Sequence, residues 1–248
     1  MGMFDFLFDK QKAQSKQIEK LRKKLTNIWL QNPDRNYAAE QLRDIGTPEA
    51  ITALLGRFKV NVKNTTFDNE EKLYVYDMLV AKGADVIEVI QEHVRNEPNQ
   101  VNWPMKVLDD LMQGEEMAVF IQDILSGMDV DYERDPEKKE QLILRAQDFA
   151  QHTELIIEVS RFTVDDNEPI RFLAVDHCLK RDDDWAIEAL RQNLTLEDSV
   201  RILNQVCERF VEKKWVAFDG DDEEIRLRIA ERLPREYFLD DENLIQLK

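Results

Sequence analysis

The chain has 248 residues, 34% of them charged, and a formal net charge of -17 at pH 7. No run approaches the roughly 18 consecutive apolar residues of a membrane-spanning helix, and no secretory signal pattern is present, so we expect a cytoplasmic protein. The acidic balance also disfavours nucleic-acid binding, which requires cationic groups to neutralise phosphates. Seven glycines and seven prolines are few for this length and favour an all-α fold.

The first segment, residues 1–33, begins with a stretch of positive net charge, whereas the rest of the chain is acidic. Residues 1–24 hold seven Lys and Arg against three Asp and Glu, and aromatic residues precede the lysines. Three interpretations are open: a cap on the first helices, a docking segment for a protein partner, or peripheral contact with an anionic membrane. The candidate docking residues are Phe4, Phe6, Phe8, Lys20, Lys23 and Lys24.

Residues 34–214 show a repeating pattern of paired amphipathic helices. The breaks between the two helices of each pair fall 30 to 37 residues apart, a period typical of stacked helical hairpins. These breaks lie near Gly46, Gly83, Gly114, Gln151 and Arg181.

Each second helix carries three apolar residues at spacings of three and four, which places them on one helical face. The five sets are Ile51, Leu54 and Phe58; Ile87, Ile90 and Val94; Met117, Phe120 and Ile124; Leu155, Val159 and Phe162; and Ile187, Leu190 and Leu194. Thr47-Pro48 and Asp135-Pro136 predict helix starts, with a capping oxygen followed by proline at the first helical position.

The fifth of these units resembles a HEAT repeat. Residues 165–175 (DDNEPIRFLAV) combine a polar turn with an apolar-Arg pair and small residues, and residues 184–190 (DWAIEAL) begin a second amphipathic helix. Residues 38–58 are similar, and the resemblance covers about residues 34–213. It implies a right-handed α-solenoid of about five to six helical hairpins whose second helices line a concave surface.

Residues 215–248 predict a small mixed α/β cap at the end of the array, because a solenoid otherwise leaves an apolar face open. We expect a short strand over 215–218, a helix over 222–233, and a β-hairpin formed by 237–239 and 244–247. A separate ligand-binding module is the alternative interpretation.

No residue pattern predicts a catalytic, cofactor-binding or metal-binding site. His177 and Cys178 are adjacent on a predicted helix and point in different directions, so we expect Cys178 in the core and His177 near the surface. Cys207 likewise reads as a buried free thiol. The acidic stretch 129–140 has the spacing of a calcium loop, but Arg134 stands where the turn requires glycine, which favours a solvated connection.

These patterns favour a non-enzymatic scaffold or adaptor that binds a protein of basic or mixed charge on its concave surface. Two alternatives stay open: a HEAT-like enzyme similar to bilin lyases, and a membrane-associated adaptor acting through residues 1–24. A resemblance to DNA-alkylation glycosylases conflicts with the acidic charge. The partner-binding candidates are polar residues of the second helices, chosen by their position around the helix relative to the apolar triplets. They are Arg57, Glu92, Asp123, Arg161 and Arg191.

Overall fold

The computed structural model describes the backbone of residues 3–220 and 222–248, and the side chains of residues 10–220 and 222–248. Within these residues lie thirteen α helices and one two-stranded antiparallel sheet, which agrees with the predicted all-α class. The helices are α1 (Met3–Leu25), α2 (Asn32–Ile45), α3 (Pro48–Leu55), α4 (Thr65–Val80), α5 (Ile87–Asn96), α6 (Asn102–Leu111), α7 (Gly114–Ser126), α8 (Glu137–Arg145), α9 (Thr153–Ser160), α10 (Glu168–Leu179), α11 (Asp184–Leu196), α12 (Val200–Lys213) and α13 (Glu223–Arg232). The strands are β1 (Tyr237–Leu239) and β2 (Ile245–Leu247).

Four short 3-10 turns adjoin these helices, at Gly56–Lys59, Gly83–Val86, Ala146–Phe149 and Arg161–Val164. Among the described residues, no helix combines the length and the apolar character needed to cross a lipid bilayer.

The predicted breaks coincide with the turns between paired helices. Gly46 ends α2 in the left-handed conformation, with φ of 65°, and its N–H donates to the carbonyl of Leu42 at 3.1 Å. Thr47 then caps α3 by accepting a hydrogen bond from the N–H of Ala50, as predicted. The second predicted start is wrong in detail, because Pro136 itself occupies the cap position of α8 and no side chain caps that helix.

The apolar triplets form the packed face of the second helices, as predicted. All their members are buried except Ile87 and Ile187, which are half-buried. Spacings of three and four therefore identify the core face, and the two exceptions lie in the first turn of α5 and α11.

The chain forms two compact units, Met1–Met117 and Ala118–Lys248. In the first unit, α1 packs against α2 and α3, while α2 contacts α4 and α4 contacts α6. The second helices follow the same rule, since α3 contacts α5. Each helix thus packs on its counterpart in the adjacent hairpin.

The second unit repeats this arrangement. The first helices α8, α10 and α12 contact one another in order, and so do the second helices α9, α11 and α13. One core cluster of this unit runs from Val175 and Cys178 through Phe210 to Ile245, so β2 shares one core with α12.

Hydrogen bonds between residues 34 positions apart join successive hairpins within each unit. In the first unit the hydroxyl of Tyr74 donates to Glu40 at 2.6 Å. In the second unit Glu133 and Asn167 exchange two hydrogen bonds, each of 2.8 Å, between a main-chain group and the asparagine side chain. These contacts match the period predicted from the breaks.

The end of the chain contains the predicted helix, α13, and the predicted hairpin, in which Phe238 pairs with Gln246. The predicted strand over 215–218 is wrong, because only Val216 forms a bridge, with Leu244. The Trp215 ring packs edge-on against Phe210 at 5.5 Å, which holds the start of the segment against α12. The N–H of Ala217 donates to the carbonyl of Asn243 at 2.8 Å, so the segment contacts the hairpin turn without extending into a strand.

Candidate protein-binding surfaces

Arg57, expected at an exposed partner-binding position, is fully buried, with 0% of its side chain exposed. Its Nη2 donates to Oδ1 of Asp68 at 2.8 Å, and its Nε donates to Oε2 of Glu71 at 3.0 Å. The expectation that Arg57 is exposed for partner binding is therefore wrong. Acidic residues of α4, 11 and 14 positions downstream, hold the guanidinium in the interior.

Glu71 is the centre of this buried network. Besides Arg57, it accepts hydrogen bonds from Nε of Arg35 and from the side-chain amide of Asn32, both at 2.8 Å. Burial by itself raises the pKa of the Glu71 carboxyl, but these donors and the charges of Arg35 and Arg57 hold that pKa below its ordinary value. The ionised carboxylate thus ties α2 and the turn after α3 to α4.

Arg161 lies in the turn after α9, and Arg57 lies in the turn after α3. A buried phenylalanine follows each of them, Phe162 after Arg161 and Phe58 after Arg57. Their environments nevertheless differ. The Arg161 side chain is 43% exposed and pairs with Glu158 of its own helix. Arg161 therefore remains at the surface.

In the second unit, Lys139 of α8 is a fully buried cation. Its ammonium donates to Asp165 Oδ2 and to the carbonyl of Asp129, both at 2.8 Å, and lies 2.9 Å from Oε1 of Glu133. Burial by itself lowers the pKa of Lys139, but the carboxylates of Asp165 and Glu133 raise it above the ordinary value. Part of the acidic stretch 129–140 thus surrounds a cation of the chain itself.

Two further candidates, Glu92 on α5 and Asp123 on α7, are exposed. Glu92 belongs to the first unit, and Asp123 and Arg161 belong to the second. Their role in partner binding stays a prediction.

Arg191, the fifth candidate, lines a cleft between α11 and the start of the C-terminal segment. Its Nε donates to the carbonyl of Val216 at 2.9 Å, so the same side chain fixes the wall of the cleft. The cleft has a volume of about 280 Å³. It is lined by Glu188, Arg191, Gln192, Thr195, Ala217, Phe218, Asp219, Ile225 and Ile229.

The cleft has an apolar wall and a polar rim. Ala217, Phe218, Ile225 and Ile229 provide the apolar surface, and α11 provides charged, amide and hydroxyl groups. The four-residue spacing of Ile225 and Ile229 indicates one face of α13, and this is the sequence signal that could have located the wall. Cofactor sites usually measure about 300–1,000 Å³, so this smaller cleft suits a single side chain of a partner.

Gly220 lies against the ring of Phe218, one of the residues that line the cleft. A Cβ atom on Gly220 would lie 3.0 Å from the tip of the Phe218 ring. A side chain at residue 220 would therefore require the ring to shift slightly.

The lysines of the N-terminal segment line a groove of about 770 Å³ along α1. Lys20, Lys23 and Lys24 are exposed, as a docking surface requires. The other docking candidates, Phe4, Phe6 and Phe8, have side chains outside the described residues.

The two cysteines are buried free thiols, as predicted. Burial raises the pKa of Cys178 and of Cys207 to about 12 in each case, which removes thiolate character at neutral pH. The expectation for His177 is wrong: the ring is buried, and its Nε2 lies 2.9 Å from the carbonyl of Ile143. Helix α10 packs against α8, α9, α11 and α12, so its buried arc is wide enough to include both residues.

Comparisons of the chain with protein-family models, with curated proteins and with solved structures returned no match.

Proposed function

We propose that the chain is a non-enzymatic, cytoplasmic scaffold with a HEAT-like α-solenoid architecture, and that it binds a protein partner along its second helices. The cleft beside α11 is the anchor point of this surface. It accepts one apolar side chain of the partner, and the polar rim contacts the flanking residues.

Two features support the solenoid architecture. Within each unit, helices pack on their counterparts in the adjacent hairpin, which is the nearest-neighbour rule of repeat proteins. Hydrogen bonds spaced 34 residues apart recur in both units, as between Tyr74 and Glu40 and between His177 and Ile143.

The cysteines support the cytoplasmic part of the proposal. Both are buried free thiols, which suit a reducing compartment.

The observation that carries the binding proposal is the composition of the cleft. Binding energy at protein interfaces is concentrated where a large side chain fills a desolvated pocket surrounded by polar groups. The apolar wall formed by Phe218, Ile225 and Ile229, with a rim that includes Glu188 and Gln192, provides such a pocket.

The charge of the surrounding unit indicates the chemistry of the partner. Residues 118–248 contain 18 Lys and Arg against 32 Asp and Glu, a net charge of -14. Arg191, a cation at the rim, is held by Val216 and lies 3.4 Å from a carboxylate oxygen of Glu188. An apolar residue flanked by basic residues is therefore the expected recognition element of the partner.

Site-specific photocrosslinking in native lysate tests the proposal. The full chain carries benzoylphenylalanine at Gln192, on the rim, or at Gln151, an exposed position of the same unit outside the cleft. We expect one dominant crosslinked protein from position 192 and none in common from position 151.

Matched substitutions then measure the contribution of the cleft. Gln192→Arg places a bulky cation at the rim and should weaken binding of the crosslinked partner about tenfold, whereas Gln151→Arg should leave the affinity unchanged. Equal affinity of both variants, or no specific crosslink at position 192, contradicts the cleft as the binding site.

A further inference from the structure

The exposed face of α1 carries a stripe of lysines. Lys12, Lys16, Lys20, Lys23 and Lys24 line the groove, over a length of about 18 Å along the helix. Asn27 and Leu30, in the turn after α1, complete the lining of the groove at its end.

The stripe is not part of the packing of the first unit. Ile18, Leu21 and Leu25 are the buried residues of α1, and they lie about 160° around the helix from the lysines. Residues 10–17 are exposed throughout, although they are helical. Packing therefore explains the second half of α1 and leaves the lysine stripe without a structural role.

The charge of the stripe is largely uncompensated. Residues 10–24 contain seven Lys and Arg and one acidic residue, Glu19. Glu19 pairs with Arg22 at 2.7 Å and more loosely with Lys23 at 3.5 Å. Lys12, Lys16, Lys20 and Lys24 make no ion pair with any residue that the structure describes. A concentrated positive surface thus faces solvent on an acidic protein.

The choice of lysine indicates what this surface binds. Protein interfaces favour arginine and are depleted in lysine, because the planar guanidinium matches a carboxylate with two hydrogen bonds. Arg22, the arginine of residues 10–24, is already occupied by two hydrogen bonds to Glu19. Lysine ammonium groups act as point charges, which suits the diffuse negative potential of a lipid surface.

Exposed apolar side chains adjoin the stripe at its C-terminal end. Trp29 is 86% exposed and Ile28 is 39% exposed, and both lie between Asn27 and Leu30 of the groove. Tryptophan beside basic residues is the usual composition of a segment that rests at the headgroup level of a bilayer.

From these observations we propose that the lysine stripe of α1, together with Trp29, binds the surface of an anionic phospholipid membrane. The helix lies parallel to the surface, with the ammonium groups at the headgroups and the indole inserted at the interface. This contact is independent of the proposed partner site in the second unit, and either can fail without the other.

Vesicle co-sedimentation of the full chain tests the proposal, with phosphatidylcholine vesicles that contain or lack phosphatidylserine. We expect binding only when phosphatidylserine is present, and weaker binding at high salt because exposed charges are screened. Lys16→Gln with Lys20→Gln should reduce the partition coefficient about 25-fold, at about 5-fold per lysine. The matched control is Lys63→Gln with Lys248→Gln, which removes the same charge from exposed positions outside the stripe and should leave binding unchanged.

A second measurement tests whether the Trp29 indole inserts at the membrane interface. Brominated lipid should quench the fluorescence of the bound protein, and Trp29→Leu should abolish most of this quenching, while Tyr132→Leu, at another exposed aromatic residue, should not. The proposal is overturned if phosphatidylserine does not promote binding, or if the Lys16/Lys20 variant binds as well as the control. Loss of a protein partner from that variant, without any vesicle binding, assigns α1 to a protein interface instead.

Discussion

Glu71 is a buried carboxylate that neutralises two buried arginines, Arg35 and Arg57. Replacing it with glutamine leaves Arg35 without its counter-charge and leaves Arg57 paired with Asp68 alone, and breaking a buried ion pair in this way costs about 3–5 kcal/mol. We expect Glu71→Gln to lower the free energy of unfolding by that amount in urea titrations. Glu70→Gln, at the exposed neighbouring position, is the matched control and should change it by less than about 0.5 kcal/mol.

The same network predicts a loss of stability in acid. The pKa of Glu71 in the folded chain lies below its ordinary value of 4.5, so the ionised carboxylate stabilises the fold above pH 4.5, and this stabilisation is lost as the pH falls below that value. The urea midpoint of the wild type should therefore decline more steeply than that of Glu71→Gln as the pH falls below about 4.5. Parallel curves for the two proteins would show that Glu71 does not contribute to the acid sensitivity.

The thiols of Cys178 and Cys207 should be unreactive in the native protein. Both are fully buried, and burial raises the pKa of each to about 12, so little thiolate forms at pH 8. We expect no reaction with Ellman's reagent in native buffer and two equivalents of released thiolate in guanidinium chloride. Rapid labelling of one thiol in the folded chain would instead indicate a reactive cysteine.

Individual residues show where sequence reasoning reaches its limit. The helical period correctly placed Cys178 and Phe162 in the core, because apolar spacing reports the packed face directly. It misplaced Arg57, because the acidic residues that bury it belong to another helix, and such pairing leaves no periodic signal. It also misplaced His177, whose partner is a main-chain carbonyl 34 residues away.

At the scale of elements, the turns between paired helices depend on glycine where the backbone is left-handed. Gly46 has φ of 65°, and an added Cβ would lie 3.1 Å from Nζ of Lys82. Gly46→Ala should lower the free energy of unfolding by about 1 kcal/mol. Gly127→Ala is the control, since its φ is not in the left-handed region and its nearest contact, at 3.6 Å, is ordinary. Equal effects of both substitutions in thermal unfolding would contradict the role of Gly46.

Elements with local signals were predictable, and elements set by distant contacts were not. The break at Gly46 and the hairpin formed by β1 and β2 follow from turn residues and alternation in the sequence. The segment over 215–218 has the composition of a strand, yet in the structure Trp215 packs on Phe210 and only Val216 forms a bridge. The cleft beside α11 was missed because its wall comes from two elements, the segment that contains Ala217 and Phe218 and helix α13, and the sequence does not indicate that the two meet.

Charge is distributed unevenly over the whole molecule. Residues 1–117 contain 16 Lys and Arg against 19 Asp and Glu, a net charge of -3, whereas residues 118–248 carry -14. The two proposed contacts follow this division: an anionic membrane for the lysine stripe of α1, and a basic or mixed partner for the cleft. The net charge of the full chain, -17, does not show this difference between the two units and therefore indicates neither contact.

The proposed solenoid architecture predicts that a local destabilisation stays local. If each hairpin is stabilised by its neighbours alone, Gly46→Ala should increase amide exchange in the helices around the substitution and leave distant hairpins unaffected. A penalty of about 1 kcal/mol corresponds to roughly fivefold faster exchange through local opening. We expect this increase in α2 to α4, and no change in α10 to α12, by hydrogen-exchange mass spectrometry of the folded chain. An equal increase in every helix would mean that the chain opens as one cooperative unit, and the nearest-neighbour architecture would then be wrong, because a fully cooperative fold transmits the penalty to all of its amides alike.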